Sequence, residues 1–345
     1  PNPTPGDDTM SLTWIRAAVG ALALAAGSAA LAETQLLLST FFPSGHPVYA
    51  RVLVPWAKDV EVATQGRVKV EFAASSLAPP PGQLDMVQKG VADIALQYAG
   101  VVPKRLQPEL LTELPGPGGT AMAMSRALWD THERFFQKDD RYKGVKLLTL
   151  FVFPTQNFYC VKECFTRIDE FRSAKIATTP STSARQFGAL TSGIVAGPAA
   201  RYFEVVSKGI VDAYAAVTPM EVVSFNLAPS TKGMIKLKDL ETAGPFALVL
   251  NSRKWDGLSD ADKAAIQRLS GRAFAERMVE LENAAEAATK QLLQAGLKVS
   301  QASDQLNADL RKAFAFLEAE WVKEADSRSI DGAAALRFYR EQVAK

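Results

Sequence analysis

One sequence pattern occurs twice in this chain, once in each half. Residues 84–97 read LDMVQKGVADIALQ, and residues 203–216 read FEVVSKGIVDAYAA. At an offset of 119 residues, the shared positions are Val87, Lys89, Gly90 and Asp93 in the first copy and Val206, Lys208, Gly209 and Asp212 in the second. Each copy predicts a short amphipathic helix with a basic last turn, a left-handed Gly that ends it, and an apolar strand.

Helix–Gly–strand units are common, so two of them can also arise by chance. If the repeat is real, the chain contains two similar α/β lobes. Two lobes in one chain leave a cleft between them, and small ligands bind in clefts of this kind.

The first 32 residues predict an export signal that is not part of the fold. After Met10, one positive charge at Arg16 precedes an uncharged, alanine-rich stretch that ends in Ala30-Leu31-Ala32, which is the arrangement of a cleaved secretory signal. The uncharged stretch is shorter than the roughly 20 residues of a membrane-spanning helix, although an uncleaved anchor is the alternative. Cleavage after Ala32 would deliver residues 33–345 to the periplasm, and residues 1–9 are interpreted as an upstream remnant.

The exported chain is long enough for two domains and too evenly charged for a nucleic-acid binder. Its 313 residues exceed the usual size of one domain. Without Arg16, Asp7 and Asp8, the 39 basic and 37 acidic residues become 38 and 35, a net charge of +3. Since no Lys/Arg cluster with interleaved aromatic residues occurs, no nucleic-acid partner is expected. No apolar stretch after residue 33 is long enough to cross a bilayer.

The only cysteines, Cys160 and Cys164, can form a disulfide only if the chain turns between them. Residues four apart in an extended strand lie about 13 Å apart, beyond the reach of a disulfide. An oxidising compartment permits a bridge, which would lie on the surface of the second lobe; two free thiols are the alternative. Because the two histidines, His46 and His132, show no ligand-like spacing, neither a metal nor a cofactor is expected.

Hydrophobic periodicity predicts mixed strands and helices up to about residue 255 and helices beyond it. The predicted strands are 35–42, 67–72, 91–97, 145–153, 156–161, 174–179, 210–217 and 245–251, and the predicted helices are 47–64, 83–89, 120–137, 182–190 and 199–208. Beyond these, an apolar stripe predicts one helix over about 260–294, followed by a short strand at 297–299 and a last helix over about 304–326. We expect these late helices to pack across both lobes, and a coiled-coil partner is the alternative.

Catalytic motifs with a clear sequence signature are absent. No G-x-S-x-G, G-x-x-x-x-G-K-[ST], H-E-x-x-H or G-x-G-x-x-G occurs. His46, in the segment SGHP, lies near a predicted strand end, but no acidic residue lies close in sequence to orient it as a base. A ligand-facing or hydrogen-bonded His46 is therefore favoured over a catalytic one, and an enzyme is the weaker class.

The motifs, taken in order, resemble the solute-binding proteins of tripartite ATP-independent periplasmic (TRAP) transporters, the DctP type. They are the export signal, SGHP before the first helix, LDMVQKGVAD, LTELPG, IDEFRSAKIATTP, EVVSKGIVDAYAA and WDGLSDADKAAIQ. The resemblance covers about residues 35–330. It implies a two-lobe α/β fold with a cleft between the lobes and long C-terminal helices that cross both.

The resemblance also implies a function and a domain division. The function is capture of a small organic solute and its delivery to the membrane subunits of a TRAP transporter, by a monomer that is not an enzyme. The division is lobe I at 33–153 plus about 241–284, and lobe II at 154–240 plus about 285–345. There are two alternatives. The same binder could serve a receptor kinase as a sensor, or the scaffold could carry a periplasmic enzyme.

The residues that usually hold a carboxylate in this family are replaced here. The family's Arg at the end of its K-I-R motif, whose planar fork binds a carboxylate with two hydrogen bonds, corresponds to Ala177. A second basic position corresponds to Asn157, and the usual Asn after the V-D-G motif falls near 216–217. Alternatively, Lys175 or Arg185 supplies the positive charge from another position.

Several aromatic residues lie on strands that should approach the cleft, so an aromatic or weakly charged solute is predicted. A buried carboxylate without a cation would be costly. The residues expected to contact the solute are His46, Gln97, Tyr98, Phe153, Asn157, Thr178, Thr179 and Tyr214.

Overall fold

The computed structural model of the protein describes residues 1, 2 and 33–345. The predicted export signal and its cleavage site after Ala32 therefore lie outside the described residues. Within the described part of the chain, no helix combines the length and the apolar character needed to cross a membrane.

The described residues form eleven strands and twelve α-helices. The strands are β1 (Thr34–Ser39), β2 (Val68–Phe72), β3 (Ile94–Tyr98), β4 (Val145–Val152), β5 (Asn157–Cys160), β6 (Ile176–Thr178), β7 (Ile194–Ala196), β8 (Ala213–Val217), β9 (Gly233–Lys236), β10 (Pro245–Asn251) and β11 (Lys298–Gln301). The helices are α1 (Val54–Ala63), α2 (Gln83–Lys89), α3 (Ala121–Thr131), α4 (Thr182–Gly188), α5 (Tyr202–Val206), α6 (Pro219–Ser224), α7 (Ser252–Asp256), α8 (Asp260–Arg268), α9 (Met278–Gln294), α10 (Asp304–Phe314), α11 (Phe316–Asp326) and α12 (Gly332–Val343).

The strands form two sheets with a related strand order. The first sheet runs β2-β1-β3-β10-β4. The second sheet, read from its opposite edge, runs β7-β6-β8-β5-β9-β11 and so has one additional edge strand. In the first, β1 is parallel to β2 and β3, and β10 is antiparallel to β3. In the second, β6 is parallel to β7 and β8, and β5 is antiparallel to β8. The predicted two-lobe α/β fold is therefore confirmed, and we call the two sheets with their helices the first and second lobes.

The repeated sequence pattern produces the same local structure in both lobes. Gly90 ends α2 before β3, Gly209 follows α5 before β8, and both adopt the left-handed conformation, with φ of 76° and 63°. The repeated Asp also accepts an equivalent backbone hydrogen bond in each lobe. The Leu37 N–H donates to Asp93 Oδ2, and the Lys175 N–H donates to Asp212 Oδ2, each at 2.8 Å.

The sheet register extends this equivalence to the first strand of each lobe. Leu38 pairs with Ile94, and Ile176 pairs with Ala213, which is the position 119 residues after Ile94. Residues Ser39 to Phe41 therefore correspond to residues 177–179.

The chain crosses between the sheets at 153–156 and again at 237–244, between β4 and β5 and between β9 and β10. These crossovers pair with each other through an antiparallel bridge between Gln156 and Thr242. The Thr242 hydroxyl also donates to Gln156 Oε1 at 3.1 Å. Relative motion of the lobes must therefore bend these two adjoining segments, and the chain also passes between the sheets from β10 to β11.

The late helices are more segmented than the sequence predicted. The expected helix over 260–294 is wrong between α8 and α9, where the chain forms a 3₁₀ segment, Gly271–Arg277. Gly271 has a φ of 56°, which a right-handed helix cannot contain, and an added Cβ would lie 2.8 Å from the Trp129 indole, so only Gly fits at this break. The expected helix over 304–326 is divided at Ala315 into α10 and α11.

The predicted crossing of both lobes by a late helix is confirmed, since α9 packs against α3 of the first lobe and α6 of the second. This packing is within one chain, so the helix stripe needs no coiled-coil partner. Helix α12, which begins where the Asp331 side chain accepts from the Ala334 N–H, was not among the predicted helices. Helix α12 packs against α3 beside the first sheet, whereas the predicted division groups it with lobe II; the division itself stays a prediction.

A buried ion pair supports the segment that leads toward the cleft. Arg141 Nη2 lies 2.7 Å from Glu109 Oε1, and both side chains are 1% exposed. Tyr142 OH donates to the same carboxylate at 3.0 Å. Glu109 belongs to the 3₁₀ segment Pro108–Glu113, so this pair fixes a piece of chain whose last residue is Glu113.

A disulfide joins Cys160 and Cys164 at the end of β5. The chain bends at 161–163 and brings the two Cα atoms to 5.3 Å. Cys160 is buried, and Cys164 lies against Gly233 of β9. The bridge therefore lies partly beneath the surface of the second lobe, and the predicted surface position is wrong because β5 is an interior strand of its sheet.

Alkylation of the unfolded protein without reductant is expected to modify neither Cys160 nor Cys164. The chain has only these two cysteines, and a disulfide leaves neither thiol to react. Mass spectrometry should show two additions only after reduction. Two additions without reductant would contradict the bridge.

Candidate functional site

A cavity lies between the two sheets, at the ends of strands from both lobes. Such strand ends and interlobe crevices are where α/β proteins usually bind ligands. The residues that line the cavity are Phe41, Phe42, Pro80, Tyr98, Val101, Phe153, Gln156, Thr179, Pro198, Ala199, Ala200, Ala216, Glu221, Phe225, Gly244 and Phe246. We call this space the cleft cavity. Its volume is about 20 Å³, room for about one water molecule, so a larger solute requires the lining to move apart.

Phenylalanines from both lobes form one wall of the cleft cavity, which we call the aromatic wall. Phe153 stacks on Phe246, with 4.2 Å between ring centroids, and Phe42 lies 5.5 Å from Phe153. Phe225, which follows α6, stacks 6.3 Å from Phe42 and adds a ring from the second lobe. These spacings are typical of stabilising aromatic pairs, so the wall is a surface on which a flat ring could stack.

His46 lies against the aromatic wall with one hydrogen-bond donor unpaired. Its ring is fully buried, 4.2 Å from Phe42 and 5.9 Å from Phe153. The Val48 N–H donates to His46 Nδ1 at 3.2 Å, so in the neutral ring the proton is on Nε2. Burial lowers the pKa of His46 to about 3, which keeps the ring neutral. Nε2 has no partner among the described residues.

Hydrogen bonds join the two lobes across the cleft cavity. Tyr98 OH donates to Glu113 Oε1 at 2.5 Å and lies 3.3 Å from Thr179 Oγ1 of the second lobe. The Thr182 N–H, also in the second lobe, donates to Glu113 Oε2 at 3.2 Å. Burial raises the pKa of Glu113 and raises that of Tyr98 well above its usual value. This network holds the lobes against each other.

The crossovers shape the floor of the cleft cavity. Gln156 Nε2 donates to the Ala216 carbonyl at 3.1 Å. Ala216 has a φ of 63°, in the left-handed region that residues with a Cβ rarely adopt. Strained backbone of this kind is found preferentially at ligand sites, and here it lies on the cavity lining.

Glu221 is the one carboxyl group among the residues that line the cleft cavity, and no Lys, Arg or His lines it within the described part of the chain. The side chain is buried, and the Thr218 N–H donates to Glu221 Oε2 at 2.8 Å. Burial raises the pKa of Glu221 to about 7. The cavity therefore contains an acid that changes charge near neutral pH and no lining base to pair with it.

Four of the eight residues predicted to contact a solute lie at this site. Tyr98, Phe153 and Thr179 line the cleft cavity, and His46 borders it at the aromatic wall. Asn157 lies elsewhere, since it lines an open groove of about 500 Å³ formed by the crossovers and α9.

The other three predicted residues bond within the lobes. The Thr178 hydroxyl lies 2.5 Å from Ser183 Oγ, and Tyr214 OH lies 2.6 Å from Thr231 Oγ1. The Gln97 side chain accepts from the Leu84 N–H and donates to the Pro80 carbonyl. None of the three lines the cleft cavity, so a direct role for them in binding stays a prediction.

Neither alternative cation lines the cleft cavity. Arg185 Nη1 pairs with Glu320 at 3.1 Å and with Glu324 at 2.8 Å, both on α11. Lys175 is exposed just before β6. Ala177 is fully buried and packs with the tyrosines inside the second lobe.

Several residues of the site were not among those predicted, chiefly Phe42, Gln156, Glu221, Phe225 and Phe246. A signal existed for two of them. Phe42 comes one residue after Phe41, which holds the position equivalent to Thr179, so the repeat could have placed this segment at the cavity. The segment TPME at 218–221 matches a capping box, which predicts a helix start but not that its Glu faces a cleft.

The chain matches a known protein family over most of its length. Residues 38–324 match the family described as bacterial extracellular solute-binding protein, family 7. A protein named outer membrane transporter protein TsaT, from Comamonas testosteroni, is 32% identical over 328 residues, which cover 95% of this chain and 96% of that protein.

Solved structures resemble this one over most of their length. A TRAP periplasmic solute-binding protein from Bordetella bronchiseptica with bound (R)- and (S)-mandelate has a TM-score of 0.86 and 28% identity, covering 90% of this chain and 99% of that chain. A TRAP solute-binding protein from a marine metagenome, specific for aromatic acid ligands and in complex with 3-hydroxybenzoate, has a TM-score of 0.83 and 26% identity, covering 91% and 98%.

Proposed function

Since this chain belongs to the family 7 bacterial extracellular solute-binding proteins, the receptors of TRAP transporters, we propose that it captures a small aromatic carboxylic acid in the cleft cavity and delivers it to the membrane subunits of a TRAP transporter. The observation that carries the proposal is the aromatic wall at the interlobe cleft. The aromatic acids named for two similar structures support the same solute class.

Different residues of the cleft contact different parts of the solute. The solute ring stacks on Phe153 and Phe246 of the aromatic wall, where it gains apolar burial and favourable ring contacts. His46 borders the cavity at the aromatic wall, and once the lining moves apart its buried, unpaired Nε2–H donates to an oxygen of the solute, which removes the cost of an unsatisfied donor. Tyr98 and Thr179 contact the solute from opposite lobes.

Closure follows from the same contacts. A solute that touches both lobes binds the closed arrangement more tightly than the open one, so it shifts the population toward closure. The closed protein then docks on the membrane subunits. Export to the periplasm with cleavage after Ala32 belongs to this proposal, as does a role in solute capture without catalysis.

We expect the purified protein to bind mandelate or 3-hydroxybenzoate and the His46→Ala variant to bind the same acid about 10- to 100-fold more weakly. Loss of a buried hydrogen bond to a charged or polar partner costs about 1.5–3 kcal/mol, which corresponds to this range. Isothermal titration calorimetry of both proteins measures the difference, with an aliphatic acid as the comparison ligand.

His132→Ala is the matched control. His132 is also a largely buried histidine whose pKa burial lowers to about 3, but its ring lies beside Arg141, away from the cleft cavity. This variant should keep the affinity of the parent protein. Tight binding of aliphatic acids with no binding of aromatic acids would refute the proposed solute class.

A further inference from the structure

The cleft cavity offers a negatively charged solute an acid and no base. Glu221 is the only carboxyl group on its lining, and within the described residues no Lys or Arg lines it. Glu221 is 6% exposed. Its Oε2 is taken by the Thr218 N–H, and no hydrogen bond of a described residue reaches Oε1. One oxygen of this buried acid is therefore available at the cavity.

The buried tyrosines on the Glu221 side of the second lobe are uncharged near neutral pH. Tyr159 of β5 and Tyr202 of α5 lie near Glu221, and Tyr214 of β8 stacks on Tyr159. Burial raises the pKa of each of them, so all three stay neutral. On α9, which packs against α6, Glu282 and Glu286 line the open groove and not the cleft cavity.

Two further titratable groups of the first lobe lie beside the cleft cavity. His46 is neutral because burial lowers its pKa to about 3. Glu113 is the second buried carboxyl near the cavity, and its two oxygens already accept from Tyr98 OH and the Thr182 N–H. Glu221 is therefore the group on the lining whose charge can adjust to a solute.

We propose that Glu221 meets the solute's carboxylate as a neutral acid, so that each aromatic acid anion is bound together with one proton. This inference rests on the proposed function, because it concerns the charge of the same solute. Two ionised carboxylates in one buried cavity repel each other strongly. A protonated Glu221 instead donates its O–H to the solute carboxylate, in the short, charge-assisted type of hydrogen bond.

The proton balance gives a pH dependence with a definite sign. The proton comes from the solvent and goes to Glu221 Oε1, while Oε2 keeps its bond to Thr218. Burial places the pKa of Glu221 near 7 in the protein without solute. Below that pH the acid is already protonated, and binding takes up no proton. Above it, each pH unit should raise the apparent Kd about tenfold, because the protonated fraction falls tenfold.

Calorimetric titration of the whole exported chain with mandelate or 3-hydroxybenzoate, from pH 5.5 to 8.5, tests this. Repeating each titration in two buffers of different ionisation enthalpy reports the protons exchanged. We expect uptake of about one proton per solute at pH 8, almost none at pH 5.5, and a Kd that rises above pH 7. A Kd that is constant over this range, with no proton uptake, overturns the inference and leaves the proposed function standing.

The Glu221→Gln variant tests whether Glu221 is the group that takes up the proton. Its amide oxygen can still accept from Thr218, and its NH₂ donates at every pH, so its Kd should be independent of pH and its proton uptake zero. Glu241→Gln is the control, since burial also raises the pKa of Glu241 but this residue does not line the cleft cavity. It should keep the full pH dependence.

Two outcomes with variants also overturn the inference. One is proton uptake that persists in Glu221→Gln, and the other is uptake that disappears in Glu113→Gln instead. Thermal melting of each variant shows whether it is folded, and the proton uptake of the parent protein is decisive without any variant. Absence of binding at pH 5.5 would overturn both this inference and the proposed function.

Discussion

Replacing Phe153 by Ala is expected to lower the free energy of unfolding by about 3–5 kcal/mol and to weaken binding of an aromatic acid about tenfold or more. The ring is 1% exposed and lies at the centre of the aromatic wall, in contact with Phe246 and Phe42. Its removal takes away buried apolar area and one of the faces on which the solute ring stacks, and a ring pair is worth up to about 1.5 kcal/mol. Chemical denaturation and calorimetric titration measure the two effects.

Phe158→Ala separates stability from binding. Phe158 is 3% exposed and packs against three other phenylalanines inside the second lobe, namely Phe165, Phe171 and Phe187. Its truncation should cost a similar free energy of unfolding. Since Phe158 does not line the cleft cavity, the folded variant should keep its affinity. Equal losses of affinity in the two variants would show that Phe153 acts only through stability.

Replacing Glu109 by Ala is expected to lower the free energy of unfolding by about 3–5 kcal/mol, since removal of one partner leaves the other charge buried. Arg141 is 1% exposed and, within the described part of the chain, keeps only Asp139, at 3.7 Å, as an acidic neighbour. The Tyr142 hydroxyl loses its acceptor as well. Urea denaturation followed by circular dichroism gives the change.

Asp85→Ala is the matched control for the ion pair. Asp85 Oδ1 lies 2.8 Å from Arg105 Nη1, but the Asp85 side chain is 59% exposed. Exposed pairs contribute about 0–1 kcal/mol, so this variant should be close to the parent protein in stability. A loss of similar size in both variants would refute the assignment of the effect to burial.

The repeat carried most of what the sequence could predict. It placed helices, left-handed glycines and strands in each half correctly, because these depend on local spacing and on the conformational freedom of Gly90 and Gly209. Tyr98 and Thr179, which were predicted separately as cleft residues, lie at strand ends and line the cleft cavity.

The direction of individual side chains could not be predicted in the same way. Strands β3 and β8 are buried on both faces, and such strands lack the alternation that tells one face from the other. Gln97 and Tyr214 therefore resembled cleft residues although their polar atoms bond inside the lobes. Glu221 lies on a six-residue helix, α6, which is too short to give a periodic signal.

The matched halves of the molecule bear on the orientation of the solute. Phe41 and Thr179 hold equivalent positions after equivalent strands, and both line the cleft cavity. One half presents a ring at that position and the other a hydroxyl, with Glu221 nearby on the same side as Thr179. An acid with an apolar ring at one end and a carboxylate at the other would thus have a single preferred polarity in the cleft. The difference between these two equivalent positions, a ring in one half and a hydroxyl in the other, would then set the direction in which the solute lies.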